Sequence, residues 1–573
     1  NLLGMIWKEK KMSIVTTKLD EKLFVTRQIS VNDLAEIAAA GYKSIICNRP
    51  DHEEGDIQPS SLELEKAARP FGINFIYLPI EIGPISTRKI ESFNKLLIEF
   101  PGPILAFCNT GNRARALYEL NKQKKISEDG EESVTAACSW TGDALETIRI
   151  PHTSRDKSIS VTAACNWGNS FDIVVIGGGA AGIGVTASLL RRRPALRIAI
   201  VELCDKHYYQ PAWTLVGGGA YDMARTVRNM ADVIPPKVEW IRAAAIGFEP
   251  DNNLVNLADG RSIGYRQLIV CPGIHLAWEK IEGLEETLGK NGVTSNYHSD
   301  LAPYTWHLTK NLKSGRALFT QPPMPIKCAG APQKAMYLSS DYWLRHHMLE
   351  DIEVEFNTAG AVLFGVADFV PPLMEYVKRY HAKVVFNSNL VKVEGAKKIA
   401  SFDIEDSEGN VTRIEKPFDM LHVVPPQVAP DFISKSPLAD ASGFCEVNPK
   451  TLQHPRYANI FSLGDVCSSP NAKTAAAARK QIVIVAENLQ AAKEGRELCN
   501  SYDGYGACPL TVENGKVVLA EFGFGGKLLP TFSLSPTVPS RFAWFLKTKL
   551  FPWLYWNGML KGREWFTRST SVS

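Results

Sequence analysis

The sequence predicts an α/β protein in two parts. A small layered α/β domain precedes a larger one with two dinucleotide-binding subdomains and a C-terminal tail suited to a membrane interface. Three observations carry this reading. Residues 22–122 alternate strand-like and helix-like segments; residues 171–205 read as strand, glycine turn, helix, strand and acid; residues 541–566 interleave aromatic and basic side chains. At 573 residues the chain exceeds what one core sustains.

Composition narrows the class. The chain is 45% hydrophobic and 22% charged, and its net charge of +3 is too small to argue for nucleic acid. Eleven unevenly spaced cysteines do not form a secreted disulfide framework, so a reducing, cytoplasmic setting is expected. Met12 reads as the natural start, and no run of 18 apolar residues is present to span a bilayer. The expected domains are 12–122, a linker at 123–169, an oxidoreductase-type core at 170–500 and a membrane-associated region at 501–573. The linker carries a near-repeat, SVTAACSW at Ser133 and SVTAACNW at Ser160, read as a duplicated connector. No metal site is expected.

In the first domain, LFVT, SIICNRP, FIYLPI and PILAFC read as strands, with helices at VNDLAEIAAAGY and TRKIESFNKLLIEF. The last strand runs into CNTGNRARAL, placing Cys108 at a strand end, with four residues between it and Arg113 and then a helix start. A thiolate among loop N–H groups at a helix N-terminus is acidified and can hold an oxyanion, so both residues are candidate catalytic groups. Asp51 and Asp56 are candidate general acids.

The second domain opens on FDIVVIGGGAAGIGVTASLL. Gly177, Gly179 and Gly182 occupy the three glycine positions of a Rossmann-like turn, with Ala181 beside the last. The first allows the tight turn, the second lets backbone approach a pyrophosphate, and the third lets helix and strand pack closely. Glu202 ends the second strand, where a carboxylate accepts ribose hydroxyls. YRQLIVCPG returns to the same sheet and ends at Gly273. YANIFSLGDV ends in Gly-Asp, so Asp465 can bond a ribityl chain, and the following KTAAAARKQ, beginning at Lys473, can aim a helix N-terminus at a flavin. FAD is therefore the expected cofactor. A second Rossmann-like strand is expected at IEVEF, but Gly360 and Gly365 lack the glycine-motif spacing for NAD(P)H.

The motifs GGGAAG, HYYQPAWTLVGGG, KCAGAPQK, TLQHPRYANIFSLGD, NAKTAAAARKQ and YDGYGACPL resemble the sulfide:quinone oxidoreductase family over residues 171–567. The resemblance implies oxidation of sulfide with reduction of quinone, and a redox disulfide between Cys328 and Cys467 over the flavin. Sulfide would attack one sulfur to leave a persulfide, the released thiolate would pass two electrons to the flavin, and a small acceptor such as glutathione or sulfite would take the sulfur. Lys327 and loop amides can lower the thiol pKa. Val466 separates Cys467 from Gly-Asp, whereas some relatives have the cysteine directly after it, and which cysteine carries the persulfide stays open. Cys204, Cys271, Cys445 and Cys508 read as inert thiols. An NADH:quinone flavoprotein and a non-catalytic flavin sensor are the alternatives; bleaching by sulfide but not NADH separates them.

Residues 19–120 resemble the beta-lactamase-hydrolase-like, tyrosine-phosphatase-like domain family through VTRQIS, ICNRPDHEEGD, QPSS and FCNTGNRAR. Four residues between Cys108 and Arg113, instead of the five of tyrosine phosphatases, match rhodanese sulfurtransferase loops, so phosphatase and sulfurtransferase chemistry both stand. The tail RFAWFLKTKLFPWLYWNGMLKGREWF, broken by Pro552, is expected to lie in a membrane interface, giving peripheral attachment on the inner face.

Overall fold

The computed structural model describes residues 16–51, 58–80, 87–108, 113–115, 117–118, 171–498, 500–533, 535–567 and 570–571. The linker repeat and Asp56 lie outside them. The described residues form two compact units, one before and one after residues 119–170.

The N-terminal unit is a five-stranded sheet in the order Thr17–Lys18, Leu23–Thr26, Ile104–Phe107, Ser44–Cys47, Asn74–Tyr77. The last four strands are parallel. Ile104–Phe107 is central and buried along its whole length, which is why it reads as a continuous apolar run rather than an alternating one. Leu34, Ile37 and Leu64 from two helices cover one face, and Phe93 from helix Thr87–Glu99 covers the other. The strand ends at Cys108.

The C-terminal unit is built on two sheets, a seven-stranded one whose parallel part has five strands and to which Leu254–Leu257 and Ala245–Glu249 add antiparallel, and a five-stranded parallel one. The parallel part of the first runs Glu239–Ile241, Ile198–Val201, Phe171–Ile176, Ser262–Val270, Ile460–Ser462. Three of these strands are followed closely by glycines in the left-handed region, Gly177, Gly273 and Gly464. The chain turns sharply there, and the carboxyl ends of the strands open onto a common crevice. The second sheet runs Val293–Thr294, Met420–His422, Gly315–Gln321, Ile352–Thr358, Lys383–Val385. Helix Ala331–Arg345 packs on it.

A hairpin, Gly506–Glu513 with Lys516–Phe522, follows. Cys508, Leu510, Val518 and Ala520 face the core of the second sheet, while Val517 and Leu519 meet Ala543 and Leu546 of the tail. The tail forms helix Arg541–Phe545, a π-helical turn Leu546–Leu550 and helix Phe551–Asn557, with Pro552 in the first turn of the last. It is not only a surface strip. Tyr555, Trp556, Met559 and Leu560 are buried in the core built around the glycine-turn helix, because Tyr555 and Trp556 pack against His207 and Tyr209. Its other face exposes Phe542, Phe545, Trp553 and Phe566.

Candidate active site

The glycine turn forms one wall of a long cavity. A Cβ on Gly177 would lie 2.6 Å from the Cys271 carbonyl oxygen, and one on Gly182 would lie 1.9 Å from the Gly177 oxygen, whereas Gly179 faces open space. Helix Ala180–Arg192 starts at Gly179 with neither a capping side chain nor an acid in its first turn, as an anion site there requires. Glu202 accepts from the Gly178 and Cys204 N–H groups at 2.7 and 2.9 Å, and burial pushes its carboxyl pKa up. It lines the cavity beside Ala181.

The opposite wall carries Gly273, Asp465, Lys473 and the start of helix Ala475–Lys493, capped by Thr474 accepting from the Ala477 N–H. Burial raises the Asp465 pKa, against the pull of Lys327 and Lys473. Trp213 and Thr214 also line the cavity, and their buried Nε1 and Oγ1 have no protein partner. A phosphate cradle, a ribose-facing acid, a second acid at Gly-Asp, a helix N-terminus and unpaired polar groups together fit a flavin dinucleotide.

The cysteines depart from expectation. Cys328 lines the cavity, and its sulfur lies 3.9 Å from that of Cys508, not beside Cys467. Cys467 is fully buried in a different place. Its Sγ donates to the Gly464 carbonyl at 3.2 Å, its backbone bridges to Cys445, and burial pushes its thiol up. Asp465 takes the cavity position, and Cys467, two residues on, bonds back to Gly464 instead. Lys473, expected only at the flavin, donates its Nζ to the Cys467 carbonyl at 2.9 Å.

The Cys328 loop is held firmly. Cys328 adopts φ +51°, uncommon for a residue with a Cβ. Its N–H donates to the Lys473 carbonyl at 2.8 Å, and its own carbonyl accepts from Ala331 at 2.6 Å. Lys334 donates to the sulfur at 3.1 Å from the first turns of helix Ala331–Arg345. The Cys508 hydrogen bond and the Lys334 and Lys547 charges hold the Cys328 thiol well below its ordinary pKa, against burial. Cys508, the proton-bearing partner, is raised by that same bond. For Lys334 burial opposes the charge, but the two sulfurs outweigh it and its pKa rises. Lys547 comes from the tail; burial and then Lys334 push its pKa well down, and its Nζ donates to the Pro509 carbonyl at 2.9 Å. Cys508 and Lys547 were not legible as site residues, although the ACPL stretch carrying Cys508 was a motif of the resemblance.

In the N-terminal unit Cys108 is buried at the end of the central strand, and Arg113 donates to the Ile80 carbonyl at 2.7 Å. Residues 109–112 lie outside the described residues. Cys47, on the neighbouring strand, is pushed up to about 12, first by burial. Asp51 does not stand free as an acid: its two oxygens accept from the Ser61 N–H and hydroxyl at 2.6 and 2.7 Å, anchoring the start of helix Ser61–Ala68.

Comparison with known proteins follows the same division. Residues 15–124 match the family described as beta-lactamase hydrolase-like protein, phosphatase-like domain. Over 405 residues the chain is 42% identical to the mitochondrial sulfide:quinone oxidoreductase of Dictyostelium discoideum, covering 70% of this chain and 88% of that protein. The mouse (Mus musculus) mitochondrial sulfide:quinone oxidoreductase is 39% identical, with 69% and 87% covered. The X-ray structure of the sulfide:quinone oxidoreductase of Aquifex aeolicus shares the fold, with a TM-score of 0.57 at 20% identity, covering 68% of this chain and 92% of that one.

Proposed function

The chain belongs to the sulfide:quinone oxidoreductase family, and on that premise we propose that it oxidises hydrosulfide through a Cys328–Cys508 dithiol–disulfide pair, with FAD in the cavity and quinone as electron acceptor. The enzyme is an oxidoreductase of this kind, has a flavin cofactor, and carries a phosphatase-like domain at its N-terminus. The observation that carries the reading is the 3.9 Å approach of the two sulfurs, with Lys334 bonded to the one that faces the cavity.

In the oxidised pair, hydrosulfide attacks the Cys508 sulfur. A new S–S bond forms, the Cys328–Cys508 bond breaks, and Cys328 leaves as a thiolate. Lys334 steadies that charge from 3.1 Å, and Lys547 can take up a proton or lend a charge as the site becomes anionic. A flavin bound beside Cys328 supplies a two-electron carrier between sulfur and quinone. A thiol or sulfite-type acceptor then removes the outer sulfur from Cys508, and the two thiolates re-form the disulfide as two electrons leave. Gly177, Gly179, Ala181, Gly182, Glu202, Gly273 and Asp465 would hold the cofactor.

Among the described residues no helix is long and apolar enough to cross a membrane. Peripheral attachment through the exposed aromatic face of the tail is the matching mode, and it would let a lipid-borne quinone enter from the bilayer. For the N-terminal domain we propose cysteine chemistry at Cys108, with Arg113 steadying an anion. Aryl phosphate and persulfide-donor assays of the full chain and its Cys108→Ser variant decide between phosphatase and sulfurtransferase.

The test of the main reading is a set of three serine variants. Cys328→Ser and Cys508→Ser should keep bound flavin and lose sulfide-dependent quinone reduction, while Cys467→Ser keeps most of it. Retained turnover in Cys508→Ser, with loss in Cys467→Ser, would restore the pairing read from the sequence.

A further inference from the structure

Resting on the quinone reading above, we infer that Glu521, Tyr505 and Thr531 form the proton-supplying wall of the quinone subsite. The cavity that starts at the glycine turn continues past Cys328 and Lys547 to a stretch bounded by the hairpin and the tail. Strand alternation decides what the hairpin shows it. Ala507 pairs with Glu521 and Pro509 with Leu519, and all four line the cavity, while Cys508 and Ala520 point the other way. Phe532, Phe551, Leu554 and Phe566 complete an apolar channel.

In that channel sits a carboxylate. Glu521 is only 3% exposed, at a position where its strand neighbour on the same face is a leucine. A buried carboxylate is costly unless it is bonded. Here one oxygen accepts from the Tyr505 hydroxyl at 2.5 Å and the other from the Thr531 N–H at 3.1 Å. The Tyr505 hydroxyl also lies 3.2 Å from the Thr531 hydroxyl, and Thr531 is exposed. These bonds form an unbroken run from solvent through Thr531 and Tyr505 to Glu521. The charged groups facing it are Arg479, which interacts with both Tyr505 and Glu521, and Lys480, whose Nζ lies 4.9 Å from the centre of the Tyr505 ring. Lys547 stands at the cysteine end of the same cavity.

The reaction needs such a route. Reduction of a quinone to the quinol takes two electrons and two protons, and in an apolar channel the oxygen must be protonated as its charge develops. The sulfide oxidation proposed above supplies the electrons. For each proton, an O–H bond breaks in the Glu521–Tyr505 pair, one forms on the quinone oxygen, and the pair regains its proton from water through Thr531.

Anaerobic rapid mixing of full-length, flavin-loaded enzyme tests this. The flavin is first reduced with sulfide, then reoxidised either with a short-tailed ubiquinone or with ferricyanide, which takes electrons without protons. In Glu521→Gln and Tyr505→Phe, reduction by sulfide and reoxidation by ferricyanide should stay within about twofold of wild type. Reoxidation by the quinone should slow on the order of 10²-fold, with an altered pH profile. Quinone reoxidation within twofold of wild type, or equal slowing with both oxidants, overturns the inference while leaving the quinone reading intact. A wild-type enzyme whose reduced flavin reacts with ferricyanide and not with quinone overturns both.

Discussion

Replacing Lys334 by Met tests whether the cationic pocket, rather than the cysteines alone, makes the sulfur chemistry work at neutral pH. The substitution preserves length and helix propensity on Ala331–Arg345 and removes one charge in contact with Cys328. Lys334 is 2% exposed, so water screens this interaction little. Losing one opposite charge at such range raises a thiol pKa by about 1–3, equivalent to about 1.4–4 kcal/mol against the thiolate. Cys328 would move from well below its ordinary value toward or above it, leaving a small thiolate fraction at pH 7. The sign follows from the thiolate being the basic form. Both profiles rise with the ionisation of hydrogen sulfide to hydrosulfide; beyond that shared rise, the variant should gain about a further tenfold per pH unit until its new pKa is passed. Anaerobic rapid mixing across pH gives both profiles, and Lys334→Arg should restore part of the wild-type shape. A Lys334→Met profile that overlays wild type would refute the reasoning, because the charge would then be doing nothing to Cys328.

Other consequences are as direct. A Cβ on Gly330 would stand 2.2 Å from Leu510 Cδ2 and 2.6 Å from the Cys508 sulfur, so Gly330→Ala should cut sulfide turnover at least about tenfold while leaving flavin bound, read by absorbance and steady-state rate. His207 is buried between the Gly178 carbonyl and the Tyr555 hydroxyl, at 3.0 and 2.6 Å, and burial lowers its pKa from 6.5 to about 4. The unfolded chain therefore binds a proton that the fold refuses, and stability should fall by about 3 kcal/mol as pH drops from 6.5 toward 4. Denaturant midpoints against pH should show a shallower loss in His207→Gln. Phe542, Phe545 and Trp553 are 48%, 52% and 50% exposed, and replacing all three by Ser should weaken sedimentation with liposomes and slow long-chain quinones more than short-chain ones. Unchanged liposome binding would assign the aromatic face another role.

What the sequence discloses, it discloses where causes are local. Gly177 is fixed by the returning strand at Cys271 and Gly182 by the Gly177 carbonyl five residues earlier, so strand, turn, helix and acid are legible from spacing alone. Cys508 was illegible because its partner lies 180 residues away, and only the packing of the hairpin on helix Ala331–Arg345 brings the sulfurs together. Proximity to Gly-Asp made Cys467 attractive, but Gly464 at φ +79° turns the chain so that Asp465, two residues earlier, holds the cavity face.

The tail misled for a different reason. Its basic residues read as headgroup partners, yet the π-helical turn Leu546–Leu550 carries Lys547 inward until it is 5% exposed beside the thiols, while Phe545 stays outside. One segment thus supplies a site cation, core residues such as Trp556, and an outward aromatic face. Removing residues 541–573 would strip all three at once, so loss of activity in such a truncation could not speak for the membrane. Substitution at the exposed aromatics alone separates them: it leaves Lys547 and the core residues such as Trp556 in place, so a loss of liposome binding reports on the exposed face by itself.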